Sequence, residues 1–450
     1  MTISQIRESM LLWIVALYWV LGAGFMQLRI PPGGAGVPLG EVVLILSLLT
    51  INHSQTAPQF SRTIFVWPFL VWWGYCIGKA MFAFPEYGFW ALRDATHPIE
   101  SLFLYVGFAF GMRVEAIERY WRWVPVILTL VAIHSMGFPI DETLQAFSPS
   151  VQAAAGYSSS ILFNYVGYYT FVMLSICYVM LFGVQKSAVK SFMLAGGMLF
   201  AVVVIYHYRT LYLQIIMMII LFGFLRPGAF GKSTVIVLLG ITGLALAPAL
   251  GVEFQTQFAG GQSFSLEFIT KHFASSFGYS AQGVESSASG YQLRLIWWAD
   301  LYSRITASLD NIIFGLGYGF PLVNFAGHEA EVREPHNSFI STVSRAGLIG
   351  LSAYLLMFLI LFLRVFKALR VVRRMQWKAG QGRLILVVMF TAFLWINAFT
   401  EDAMEKPFFA IPLYFMWGVT LAFIRQIDLG AYVRSKEPAF TAAEGAGRPS

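Results

Sequence analysis

Charged side chains are scarce in this chain. Asp, Glu, Lys and Arg make up 12% of its 450 residues, while 58% are hydrophobic; a soluble domain carries about 25% charge. That balance excludes a soluble globular protein. It also removes any domain count based on length, because such a core is a bundle packed in lipid. Cysteine is nearly absent: Cys76 and Cys177 sit in separate apolar stretches without metal-ligand spacing and read as small buried hydrophobes. The seven histidines are scattered, with no His-x-x-x-His and no Asp-x-Asp, so metal chemistry finds no support and no metal or cofactor is expected. No internal repeat of the inverted-topology kind is visible.

What the chain does have is apolar runs. They lie near 11–28, 38–52, 63–84, 99–112, 122–138, 161–184, 190–206, 209–225, 233–251, 339–363, 383–400 and 407–424. A helix crosses the hydrocarbon core with about 20 apolar residues, so the expectation is an all-α integral membrane protein of about twelve transmembrane helices. The first run is long for a signal-peptide core and reads as a retained helix.

The net charge of +7 is explained by where the cations lie. The stretch 364–383, "RVFKALRVVRRMQWKAGQGR", holds seven Lys/Arg and no acid, which makes it cytoplasmic. Alternating outward from it puts both termini inside, together with the 113–122 loop, the 185–190 loop and "RPGAFGKS". With the 53–62 loop, which the same alternation puts inside, these surfaces hold 20 of the 30 cations. The basicity is therefore topogenic, and nucleic acid is not implied. "GAFGKST" (228–234) looks like half a phosphate-binding loop, but Arg226 stands where the first glycine belongs and no strand precedes it.

The organisation follows: 1–251 carries nine helices, 252–338 is one long external loop, 339–424 carries three helices, and 425–450 is a cytoplasmic tail whose composition from Ser435 reads as disordered. The loop opens with Gly/Ser-rich sequence, "FAGGQSFS" and then "SSFGYSAQGVESSASGY", read as irregular. Next comes "QLRLIWWADLYSRITASL", whose Leu293, Ile296, Trp297, Leu301 and Ile305 recur at helical spacing. This is an amphipathic helix with paired tryptophans for a headgroup level.

Cations on the outer side need a reason beyond topology. Arg209 falls where one apolar run ends and the next begins, a costly place unless an anion meets it; a snorkelling anchor is the plain alternative. Arg304 has Asp300 four residues before it, which fits an ordinary helix pair. Arg294 has no acid three or four residues on, leaving its charge for lipid headgroups or a bound diphosphate. In "REPHNSF" (333–339), Pro335, Asn337 and Ser338 suit a helix start, where the backbone favours anions. His336 there can donate to a phosphate oxygen or take a proton from a hydroxyl, or simply cap the helix. Gly347 and Gly350 are spaced for close helix packing. Arg93, Arg333 and Arg345 complete the outer cations singled out as supporting candidates, with Asn337 and Arg304.

"PHNSFISTVSRAGLIGL" resembles the signature of the O-antigen ligase and Wzy-type polymerase superfamily, in which His-Asn opens a helix ending in Gly-Leu-x-Gly. "YQLRLIWWADLYSRITASLDNIIFGLGYGF" is similar to that family's Arg-x-x-x-Trp segment and glycine turn, with Arg294 and Trp298, then Gly315, Gly317 and Gly319. "YRTLYLQI" resembles its second arginine segment, with Arg209 in the arginine position. The resemblance spans roughly 200–360. It implies a multi-pass glycosyltransferase of the bacterial inner membrane, with the 252–338 loop periplasmic. The donor would be an undecaprenyl-diphosphate-linked glycan and the acceptor lipid A–core or another glycan. Arg209 and Arg294 would hold the diphosphate, and His336 would activate the acceptor or neutralise the leaving group. Two departures bear on the acceptor: Ser344-Arg345 stands where many members carry an acid, and Tyr208 and Thr210 flank Arg209 in place of serine and glycine. A polymerase, a protein O-oligosaccharyltransferase and, outside the class, a lipid-linked glycan transporter stay open beside the ligase.

Overall fold

The computed structural model describes residues 3–30, 37–63, 65–152, 158–183, 187–206, 208–246, 265–275, 285–323 and 333–430. Over these residues the chain is helical almost throughout. Two short antiparallel hairpins pair Arg29–Ile30 with Val37–Pro38 and Ser150–Gln152 with Ser158–Ser160. The tail beyond 430 and the loop stretches 247–264 and 276–284 lie outside the described residues.

Seven helices among the described residues are long and apolar enough to cross a membrane: Ile3–Phe25, Val114–Ala146, Ala188–Tyr206, Pro227–Leu246, Ser338–Arg374, Lys378–Thr400 and Pro407–Asp428. The bent pair His53–Ser61 and Val66–Tyr87 makes an eighth if it is one span, and Leu39–Thr50, Tyr169–Phe182 and Arg209–Leu225 are apolar but shorter. The protein is an all-α, multi-pass membrane protein. The segment expected at 99–112 departs most from a simple span, being split into Thr96–Glu100 and Phe103–Phe110; eight residues of helix cover only about 12 Å.

Pro407–Asp428 is the central helix, buried along its apolar length. Its Gly418 lies against the backbone of Leu104, and Gly107 lies against the backbone of Phe415. Without a side chain at either position the two helices touch backbone to backbone, the usual route to affinity between helices in lipid.

The connections meet in two groups. In one, Arg113 and Arg119 reach Glu8, Arg383 grips Glu118 at 2.5 and 2.6 Å, Arg373 donates to the Leu225 carbonyl, and Gln426 donates to the Met112 carbonyl. In the other, Asp94 meets Arg333 and Arg345 at 3.1 and 3.0 Å, and Glu401 meets Arg294 and His336.

The loop helix begins earlier than its composition foretold. "ESSASGY" was expected to be irregular, yet Glu285–Thr306 is one helix of 22 residues. Once the Leu/Trp-rich part is nucleated, adding serines at its start costs only a few tenths of a kcal/mol each. A further short helix, Leu266–Ala274, was also unforeseen.

The Ser338–Arg374 helix is broken at Gly347, whose φ of +62° and ψ of −165° no helix contains. The break frees the carbonyls of Ser344 and Arg345, and the turn after Leu309–Phe314 takes them: Leu316 N donates to Ser344 at 2.6 Å and Gly317 N to Arg345 at 3.1 Å. Lys79, from Val66–Tyr87, adds its ammonium to the carbonyls of Phe314, Gly315 and Arg345. Gly347 was expected to serve helix packing. Instead it lies against the backbone of Ile313 and Gly315, where a Cβ on either glycine would collide. We predict that Gly347→Ala destabilises the fold by about 2 kcal/mol, seen as a lower unfolding midpoint in detergent. Gly74→Ala, whose Cβ meets open space, should leave it unchanged.

Candidate functional site

Three segments assemble the site: the Glu285–Thr306 helix, the turn at 333–337, and the connection 401–406 between Lys378–Thr400 and Pro407–Asp428. Asn337 sets the middle one. Its side-chain oxygen accepts from Phe339 N and Ile340 N at 3.0 Å each, capping the long helix, while its amide donates to the Phe399 carbonyl at 2.9 Å. Of Asn337 and Ser338, which both suited the helix start, Asn337 is the cap. His336 just before it has a φ of +52°, a left-handed conformation uncommon outside glycine. Trp297 stacks on its ring at 5.8 Å, and Trp298 Nε1 donates to the Pro335 carbonyl at 2.9 Å. The paired tryptophans thus brace the histidine turn.

Glu401 is gripped from both sides. Arg294 Nη2 donates to its Oε1 at 2.9 Å while Nη1 donates to the Thr400 carbonyl at 2.7 Å. His336 Nδ1 meets the other oxygen, Oε2, at 2.9 Å and lies 3.5 Å from Asp402 Oδ1. Lys406 holds Asp402 at 3.0 Å. Arg209, at the start of Arg209–Leu225, is within electrostatic range of both Arg294 and Glu401. Its helix is fixed by a buried polar network: Tyr169 Oη pairs with Thr210 at 2.5 Å, and Gln214 donates to Thr170 and Asn397 at 3.0 Å. Thr210, one of the two departures beside Arg209, thus has a structural partner.

Four cations surround two carboxylates here, so the site keeps a surplus of positive charge. Burial pushes His336 down, but hydrogen bonds to Asp402 and Glu401 outweigh it and raise its pKa to about 9. Burial likewise works against ionising Glu401 and Asp402, yet His336, Lys406 and Arg294 hold Glu401 below its usual range, and Lys406 and His336 do so for Asp402. Glu405 is the opposite case. Burial, helped by Glu334, lifts it to about 8, and it accepts from the Ser338 hydroxyl at 2.5 Å.

His336, Glu401 and Asp402 also place ligand atoms within 4.8 Å of one another, a spacing that could hold a divalent cation, which the histidine pattern in the sequence did not suggest. Arg294 and Lys406 already face those carboxylates, so a metal would have to displace charge that is well paired.

The remaining candidates lie elsewhere. Arg304 pairs with Asp300 at 3.1 Å and donates to the Leu322 carbonyl, the plain helix pair expected of it. Arg345, almost fully buried, binds Asp94 and Glu334 at 3.0 and 2.7 Å. Arg333 binds Asp94 and lies over the Trp90 ring at 4.0 Å, with Arg93 over the same ring at 4.5 Å. Arg333, donating to the Gly319 carbonyl, and Arg345, donating to the Phe320 carbonyl, hold the glycine turn in place; Asp94 also accepts from Gly319 N at 3.0 Å.

Sequence reasoning missed Glu401, Asp402 and Lys406. A signal was present: "EDAMEK" places three acids and a lysine between two apolar runs of a chain with only 23 acids. Compared with family models and with curated proteins, the chain matches none.

Because the folded pKa of His336 lies above the ordinary 6.5, the stability it contributes is complete below about pH 6.5 and is lost as pH rises through about 9. The unfolding midpoint should therefore fall from pH 7 to pH 10 more steeply in the wild type than in His336→Gln. Parallel curves would contradict the ion pair.

Proposed function

We propose that the protein is a metal-independent, inverting glycosyltransferase of the bacterial inner membrane, moving a glycan from undecaprenyl diphosphate to an acceptor hydroxyl on the outer face. A ligase acting on lipid A–core is the preferred form. The observation that carries this reading is the clamp on Glu401: Arg294 and His336, far apart in sequence, each hold one oxygen of a single anion, with Arg209 beside them. A donor diphosphate offers the same chemistry with more charge, and an arginine fork suits it.

In this reading the diphosphate takes the contacts that Glu401 now holds. The acceptor oxygen attacks the anomeric carbon from the face opposite the leaving group, so the new C–O bond forms as the bond to phosphate breaks. Charge builds on the departing diphosphate, and the two guanidinium groups and the imidazolium stabilise it in a partly dehydrated site. With its pKa at about 9, His336 enters protonated, which favours the leaving-group role over the general base. Glu401 loses Arg294 and His336, two of the three groups that depress its pKa, keeps Lys406, and becomes the carboxylate at hand to take the acceptor's proton.

The two groups of connections support an arrangement in which this site and the cationic stretch 364–383 face opposite sides, toward the two ends of the Ser338–Arg374 helix, whose part after the break at Gly347 is about 40 Å long. Lys79, the clearest internal charge, is bound to backbone carbonyls, which argues against a transport path through it.

The test is transfer in reconstituted vesicles from an undecaprenyl-diphosphate glycan, alone, with lipid A–core or with a polypeptide acceptor, each with a chelator present. Product only with lipid A–core makes the protein a ligase, a ladder from donor alone a polymerase, and transfer only to a polypeptide a protein glycosyltransferase. Arg294→Ala should lower the rate by about 100-fold or more while insertion and folding persist, and Arg294→Lys should recover only part. The rate should fall above about pH 9. A rate that climbs to a plateau there would instead make His336 the base. Full activity in Arg294→Ala would defeat the proposal.

A further inference from the structure

At the other end of the bundle the starts of three helices line one pocket: Ala188–Tyr206, Pro227–Leu246 and Lys378–Thr400. A pocket of about 400 Å³ opens among them, lined by Arg226, Lys232 and Lys378 with Ser187, and none of its lining residues is acidic. All three cations come from stretches that the charge pattern places on the inner side.

Two neighbouring arginines show what a satisfied cation looks like here. Arg373 donates to the Leu225 carbonyl, and Arg383 is gripped by Glu118. Arg226 differs: its Nη1 is buried with no hydrogen-bond partner among the described residues. An unmet donor on a charged group is expensive, so water or a bound anion is needed to satisfy it. Burial lowers the Arg226 pKa, with no carboxylate acting against it. The three helix starts add the positive ends of their dipoles to the same space. The "GAFGKST" stretch is helical here, so it is no phosphate loop, yet its Lys232 does face this pocket.

The pocket has an apolar continuation. Phe192 and Ile236 line it and also line a groove of about 670 Å³ between Ala188–Tyr206 and Pro227–Leu246. Met193 and Leu239, largely exposed, stand at that groove and open it toward the lipid side.

We propose that this pocket binds the phosphodiester headgroup of an anionic phospholipid from the leaflet at this end, with its acyl chains in the adjoining groove. Cations, a guanidinium nitrogen unmet among the described residues, and an adjoining apolar groove that shares Phe192 and Ile236 with the pocket suit an amphiphile better than a free phosphate ion. The site is separate from the His336 clamp and does not rest on the glycosyltransferase reading.

The test titrates the purified full-length protein, in dodecyl maltoside, with dioleoyl phosphatidylglycerol, dioleoyl phosphatidylcholine and inorganic phosphate. The unfolding midpoint and native mass spectra are the readouts. Phosphatidylglycerol should raise the midpoint saturably and stay bound in the spectrum, while phosphatidylcholine should do neither. Arg226→Gln and Lys378→Gln should each weaken the apparent affinity about tenfold. Arg226→Lys should weaken it less, and Arg374→Gln, outside the pocket, should leave it unchanged. Should Arg226→Gln fail to fold, Lys378→Gln and Arg226→Lys still decide the question. Equal stabilisation by both lipids, or wild-type affinity in the Gln variants, overturns the proposal. A full shift from inorganic phosphate alone reassigns the pocket to soluble phosphate esters and overturns the lipid assignment.

Discussion

The carboxylate of Glu401 ties three stretches of chain at one point: the loop helix through Arg294, the histidine turn through His336, and the connection between two deeply buried helices on which it sits. Bidentate charge-assisted contacts fix direction as well as distance. Arg294 spends its second nitrogen on the Thr400 carbonyl, at the negative end of the Lys378–Thr400 helix. The positively charged surplus around Glu401 therefore rests on helix ends that cannot easily drift. Preorganisation of this kind is what an anion-binding site needs, because cations already in place need no rearrangement when the ligand arrives.

The rest of the fold holds the histidine turn to that point. The break at Gly347 lets the first part of the Ser338–Arg374 helix lean against the glycine turn, and Lys79 with two backbone amides satisfies the carbonyls this exposes. Asp94, Arg333, Arg345 and Glu334 then lock the turn beneath it. A buried charge cluster of this sort contributes little net stability, but losing one member leaves an unpaired charge, so it specifies one arrangement. These arginines thus divide into those that build the platform, Arg333 and Arg345, and the one that holds Glu401, Arg294.

Much of this was legible in the sequence because lipid imposes simple rules. Apolar runs had to be helices, and Pro335 with Asn337 or Ser338 suited the start of one. Asp300 and Arg304 at four-residue spacing had to pair. What could not be read was anything depending on contacts between distant segments. Arg294 lacks an acid on its own helix, and its partner Glu401 lies 107 residues away. Arg345 stands where the resembled family often has an acid, and its role became visible only with Asp94 and Glu334 beside it. Gly347 carried a helix-packing signal, yet its positive φ follows from the turn packed against it. Local spacing reports local pairs; a clamp assembled across the chain leaves only composition as a trace, here the acids of "EDAMEK".

The most direct measurement is an experimental structure of the protein with undecaprenyl diphosphate bound. The account predicts the diphosphate among Arg209, Arg294 and His336, with Arg294 and His336 turned from Glu401 onto phosphate oxygens at about 2.8 Å. A diphosphate bound elsewhere, with the Arg294–Glu401–His336 clamp unchanged, would contradict it.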